Sequence, residues 1–166
     1  MARFLSLFLR LSIVASGAAI AAGKILFAAG TWSAIDRGGV CIAAGRSAKI
    51  AAKGKVQAIA GFTFAADRRR WGEFHTQLSR ATRAGSSVIL TIGNQPFLLT
   101  ARGDWAWSRG ASQEQAIIAA VRAATGMRIE ARDAAGNRFT DPYPLDGAPT
   151  AIDAAAAACA GKIERP

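Results

Sequence analysis

Histidine and cysteine are nearly missing from this chain: His75 stands alone, and Cys41 and Cys159 are the only cysteines among 166 residues. A single histidine excludes a His-rich zinc site, and neither cysteine belongs to a CxxC pair or lies at ligand spacing from another donor. GxSxG and HExxH do not occur. Residues 39–49, GVCIAAGRSAK, contain glycines and a lysine but not the GxxxxGK[ST] spacing of a phosphate cradle. Acidic residues are also few, 11 against 21 Lys and Arg. Asp141 and Asp146 come near each other only in a segment that also holds Pro142 and Pro144, where turn and capping roles are expected before acid–base work. The residues thus indicate no catalytic group, no metal and no cofactor. An enzyme reading would need a concave pocket with convergent polar groups.

A hydrophobic run long enough to span a membrane is absent as well. The apolar stretch between Arg10 and Lys24 falls short of the roughly 20 residues a spanning helix needs. Residues 1–23 read instead as a signal peptide, with Arg3 at a positive start, small apolar residues over 11–22, and Ala19-Ile20-Ala21 as a small-x-small cleavage site. The competing reading is an uncleaved anchor. Arg10 can snorkel and apolar character resumes at Ile25-Leu26-Phe27, so membrane association would run through residues 4–29. Residues 24–166 are read as one domain, and a chain that is 51% apolar can bury a core.

Export decides how the cysteines are read. In an oxidising compartment Cys41 and Cys159 are expected as a disulfide, the only intrachain pairing two cysteines allow. On the chain-entropy model such a loop stabilises by at most about 5 kcal/mol. Two buried free thiols in a cytosolic protein are the alternative.

Positive charge is concentrated in one half. Residues 24–83 hold 11 basic and 3 acidic residues, whereas residues 84–166 hold 8 of each. Arg46, Lys49, Lys53, Lys55, Arg68, Arg69 and Arg70 are therefore candidate anion-binding residues for lipid phosphates or anionic polysaccharide, with nucleic acid disfavoured. The plain alternative is a solvated basic surface.

Periodicity gives a mainly β chain. The clearest stretch is 86–107, where apolar β-branched residues 88–92, a turn at Gly93-Asn94-Gln95, residues 97–101, a turn at Arg102-Gly103-Asp104 and Trp105-Ala106-Trp107 read as consecutive antiparallel strands. Trp105 and Trp107 share one strand face, either as core or as an aromatic surface for sugars or bases. Strands are also expected at 30–35, 40–42, 57–65, 71–78, 127–131 and 138–140, while 46–55 reads as a loop, a frayed helix turn or an edge strand. His75 falls on the polar face of its strand beside Glu73 and is read as solvated. Ser112 with Gln115 predicts a capping box opening a central helix that Gly126 closes. Pro142 and Pro144 predict irregular chain, followed by a helix from about Pro149 to Gly161 that puts Ile152, Ala155, Ala156 and Cys159 on one face. The fold class is an antiparallel β-sandwich-like domain with one central and one C-terminal α-helix, preceded by the N-terminal apolar segment.

Several short motifs occur in a familiar order: Val88-x-Leu90-x-Ile92-Gly93, Phe97-Leu98-Leu99, Ala106-Trp107, Ile117-Ile118 ahead of Gly126-Met127, Asp141-x-Tyr143-x-Leu145-x-Gly147, and a closing Ala-rich helix with Cys159. Together with Trp32 and Cys41, they make the chain resemble the invasion associated locus B family of bacterial envelope proteins. Residues 45–83 depart from that pattern in being more basic. The resemblance implies an exported, β-rich domain of the periplasm or outer envelope, or a secreted one, with a binding or structural role, an envelope component as partner and no catalytic residues to carry over.

Overall fold

Period-two alternation of buried and more exposed side chains marks strands such as Val40–Arg46, Trp71–Gln77, Gly126–Arg132 and Arg138–Pro144. The computed structural model describes residues 23–162; the signal or anchor segment lies outside them apart from its last residue. Among the described residues ten strands follow one another as β1 (Lys24–Ala29), β2 (Trp32–Asp36), β3 (Val40–Arg46), β4 (Ile59–Ala65), β5 (Trp71–Gln77), β6 (Val88–Ile92), β7 (Gln95–Arg102), β8 (Trp105–Trp107), β9 (Gly126–Arg132) and β10 (Arg138–Pro144). Helix α1 (Ala111–Ala123) separates β8 from β9, and α2 (Ala148–Ala160) follows β10. The strands form one antiparallel sheet in the order β1-β2-β3-β4-β5-β8-β7-β6-β9-β10.

Register keeps one face inward across the whole sheet. Ala43 pairs with Phe62, Phe62 with Phe74, Thr76 with Ala106, Leu99 with Val88, Leu90 with Ile129 and Met127 with Tyr143, and all of these are buried. Two-residue loops led by Gly93 (φ 54°) and Gly103 (φ 65°) join β6 to β7 and β7 to β8, where the tight reversal needs a left-handed residue. The sheet folds back so that its two ends meet. The Trp32 indole donates to Pro144 O at 2.8 Å, Ala48 N–H to Pro142 O at 2.9 Å, and Ser79 N–H to the buried Asp141 carboxylate at 2.9 Å. This is the sandwich-like arrangement expected from the sequence, with both helices packed on its inner side. α2 lies against β1 to β4 and α1 against β5, β6 and β7.

Four local expectations change. Lys24–Ala29, read as renewed apolar anchor, is an edge strand paired with β2. The Pro142-Pro144 segment is strand, not irregular chain: β10 is the other edge, where a residue lacking an N–H breaks no ladder bond. Helix α1 starts at Ala111, so Ser112 lies inside its first turn and forms no cap. Gln113 Oε1 instead accepts Arg109 N–H at 2.7 Å, and Ser108 Oγ donates to Glu114 at 3.0 Å. Gly126 opens β9 rather than closing the helix, which ends on extended Ala124. Residues 47–58 form a loop.

Candidate binding face

Among the described residues no helix packs on the outer face of the sheet, and its central rows are set by register. His75 stands opposite Gly61 on β4 and Trp107 on β8; Gln77 stands opposite Ile59 and Trp105; Glu73 stands opposite Thr63. Trp105 and Trp107, two residues apart on β8, point outward together while Ala106 between them is fully buried. The core expectation for the two tryptophans is thereby corrected: the small residue faces the crowded interior and the two large ones face out, each half-buried.

The rings lie close together with the planes of neighbouring pairs nearly parallel. Trp105 and Trp107 have centroids 6.3 Å apart at 17°, and His75 and Trp105 have centroids 6.4 Å apart at 26°. His75 rests on Gly61, where a Cβ would come within 3.0 Å of the imidazole. Any larger residue at 61 would lift the ring from the sheet. The Thr63 hydroxyl lies 3.3 Å from His75 Nδ1. Burial is the main reason the imidazole is held below its ordinary pKa; the Glu73 backbone opposes this and the Arg70 charge adds to it. The solvated histidine expected from alternation is thus half-buried and largely neutral at pH 7. Partial burial also pushes the Glu73 carboxyl up, against the pull of Arg70 and with a push from Glu114.

Together Ile42, Thr63, Arg70, Glu73, His75, Trp105 and Trp107 line a shallow depression of about 380 Å³. Gln77 donates to Asp104 at 3.0 Å at its edge. Alternation within single strands reveals the outward pairs Glu73/His75 and Trp105/Trp107. The union of these with Ile42, Thr63 and Arg70 depends on which strands pair, and the chain order hides the β5–β8 neighbourhood behind two intervening strands.

The seven candidate anion-binding residues do not form one patch. Arg46 ends β3, and Lys49, Lys53 and Lys55 lie in the loop that follows, whereas Arg68, Arg69 and Arg70 occupy the turn at the far end of β4, a strand-length of about 20 Å away. Arg68, at φ 61°, places its guanidinium 3.9 Å over the Trp71 ring, and Arg69 lies 3.9 Å from Asp67. Lys49 and Lys55 share a separate hollow with Arg80 and Asp133. Cys41 on β3 and Cys159 on α2 are joined as a disulfide with Cα atoms 5.8 Å apart, both fully buried. Among the described residues, no three His, Cys, Asp or Glu side chains gather as metal ligands, and no helix is long and apolar enough to cross a membrane. Compared with protein-family models, with curated proteins and with solved structures, the chain finds no match.

Proposed function

We propose that the chain is an exported domain of a bacterial envelope, related to the invasion associated locus B family, that serves a binding or structural role rather than a catalytic one. The observation that carries this reading is the buried Cys41–Cys159 disulfide, which ties the last helix to an early strand across 118 residues. Structural disulfides persist in oxidising compartments and are rare where glutathione keeps thiols reduced. The small-x-small site at Ala19-Ile20-Ala21 supplies the route out of the cytoplasm. The helix-free outer face supplies the surface for an envelope component. Fractionation of the source cell with N-terminal sequencing tests this. Periplasmic or secreted protein beginning near residue 22 supports a cleaved signal, an envelope-bound full chain supports the anchor, and a full chain in the cytosol overturns the reading.

A second reading, binding of anionic lipid or polysaccharide, draws on Lys49, Lys55 and Arg80 around one hollow of about 620 Å³. It requires binding that weakens steeply with salt, by roughly 0.9 log units per log of salt for each phosphate neutralised if the polymer were duplex DNA. Salt-independent binding removes it.

A further inference from the structure

We infer that the cluster formed by His75, Trp105 and Trp107 is a saccharide-binding platform, and that its ligand is an uncharged glycan. The inference rests on the reading of this chain as an envelope binding domain and names the ligand class of its outer face. A pyranose presents an apolar face of C–H groups and a rim of hydroxyls. Aromatic side chains that expose a face match the first, since they offer large apolar area with a π-surface that attracts polarised C–H bonds. Three rings whose planes lie within 26° of their neighbours, spaced 6.3 and 6.4 Å apart, offer adjoining apolar contacts to a sugar.

The rim fits the hydroxyls. Thr63, Glu73 and Arg70 border the depression, and Gln77 is held at its edge by Asp104. These side chains offer both acceptors and donors, the pairing that a sugar hydroxyl needs on its two sides. Shallow walls suit the interior of a chain, because no wall stands where a chain end would stop.

Charge separates this ligand from the other user of aromatic platforms, single-stranded nucleic acid. A polyanion groove needs an excess of cations along the strand. Here Arg70 beside the rings and Arg102 opposite Trp105 are offset by Glu73 and Asp104. His75, whose imidazole burial holds below its ordinary pKa, adds little charge at neutral pH. The larger excess of cations lies elsewhere, in the loop after β3 and at Arg68 and Arg69, so the ringed face itself is close to neutral.

Titration of the full oxidised chain with chitohexaose, followed by calorimetry and by tryptophan fluorescence, tests the platform. Saturable binding is expected, with an affinity changing less than about twofold between about 50 and 200 mM salt, where a polyanion contact would lose orders of magnitude. Trp107→Ala and Trp105→Ala are each expected to weaken it about tenfold or more, the loss of one stacking contact. Glu73→Gln, which keeps the shape of the side chain, should weaken it severalfold while the melting temperature stays unchanged, so the test does not depend on the tryptophan variants folding. Absence of chitohexaose binding by the unaltered chain overturns the inference. So does binding that survives all three substitutions, or that is displaced by oligo-dT and lost with salt. Any of these outcomes in a chain that is still found exported and disulfide-bonded leaves the envelope reading intact and removes only the glycan.

Discussion

Gly45 shows how single residues hold this fold. A Cβ there would meet the buried Trp32 indole at 2.5 Å, and that indole is fixed by its hydrogen bond to Pro144 O. Neither side can yield without breaking the contact between the two ends of the sheet. Gly45→Ala should therefore destabilise by about 1–3 kcal/mol, the usual cost of overpacking, read as a shift in the urea midpoint with m unchanged. His75 supplies a pH test. Its folded-state pKa is lowered below 6.5 by burial, so the unfolded chain binds more protons in the window between the two values. The stability this confers is complete above pH 6.5 and is lost as pH falls through the folded-state pKa. NMR titration of the imidazole should place its midpoint below that of a model peptide, and His75→Gln should remove this part of the acid sensitivity. An unshifted midpoint would contradict the packing against Gly61. Asp141 was legible only as a turn or capping residue, because the prolines around it masked a strand. In the fold it is fully buried, with one oxygen accepting Ser79 N–H at 2.9 Å, a partner 62 positions away in the chain.

At the scale of elements, alternation located most strands but not always which face was inside. Phe62 and Phe74 could be placed on one face because Gly61, Thr63, Glu73 and His75 alternate with them. Trp105-Ala106-Trp107 could not, since all three are apolar and only the pairing of Ala106 with Thr76 and Ala101 settles the direction. The prolines misled for a physical reason: they forbid a central strand but not an edge, and edge status is a property of the sheet rather than of the segment. Helix α2 was readable from Pro149, Gly161 and the spacing of Ile152, Ala155 and Cys159, because its buried stripe is complete within one turn-by-turn repeat. The face assignment has a direct energetic consequence. Phe62→Ala should cost about 3–5 kcal/mol as a cavity in the core, while Trp107→Ala on the outer face should cost less than half of that. Equal losses in chemical denaturation would mean that Trp107 belongs to the interior.

Across the whole molecule, a sheet whose second and last strands meet only after the chain has run its length depends on distant contacts. Such contacts are costly to close in the unfolded chain, and the disulfide joining β3 to α2 removes much of that cost in advance. The cysteine pairing was legible from composition alone, since two cysteines permit one bridge and the helix stripe pointed Cys159 inward. The β6-β7-β8 run was legible in its two tight turns, whereas the pairing of β8 with β5 and of β6 with β9 was not, because the local sequences of those strands do not name their neighbours. Reduction, or Cys41→Ser, should lower stability by about 2–5 kcal/mol without altering the outer-face rings.

Intact mass of the chain recovered from its source cells, with free thiols trapped by alkylation under denaturing conditions before any reduction, tests the exported and bridged state most directly. A chain that carries no alkyl group until it is reduced, and two afterwards, is the result predicted. A chain from the cytosol already alkylated at both Cys41 and Cys159 would contradict it.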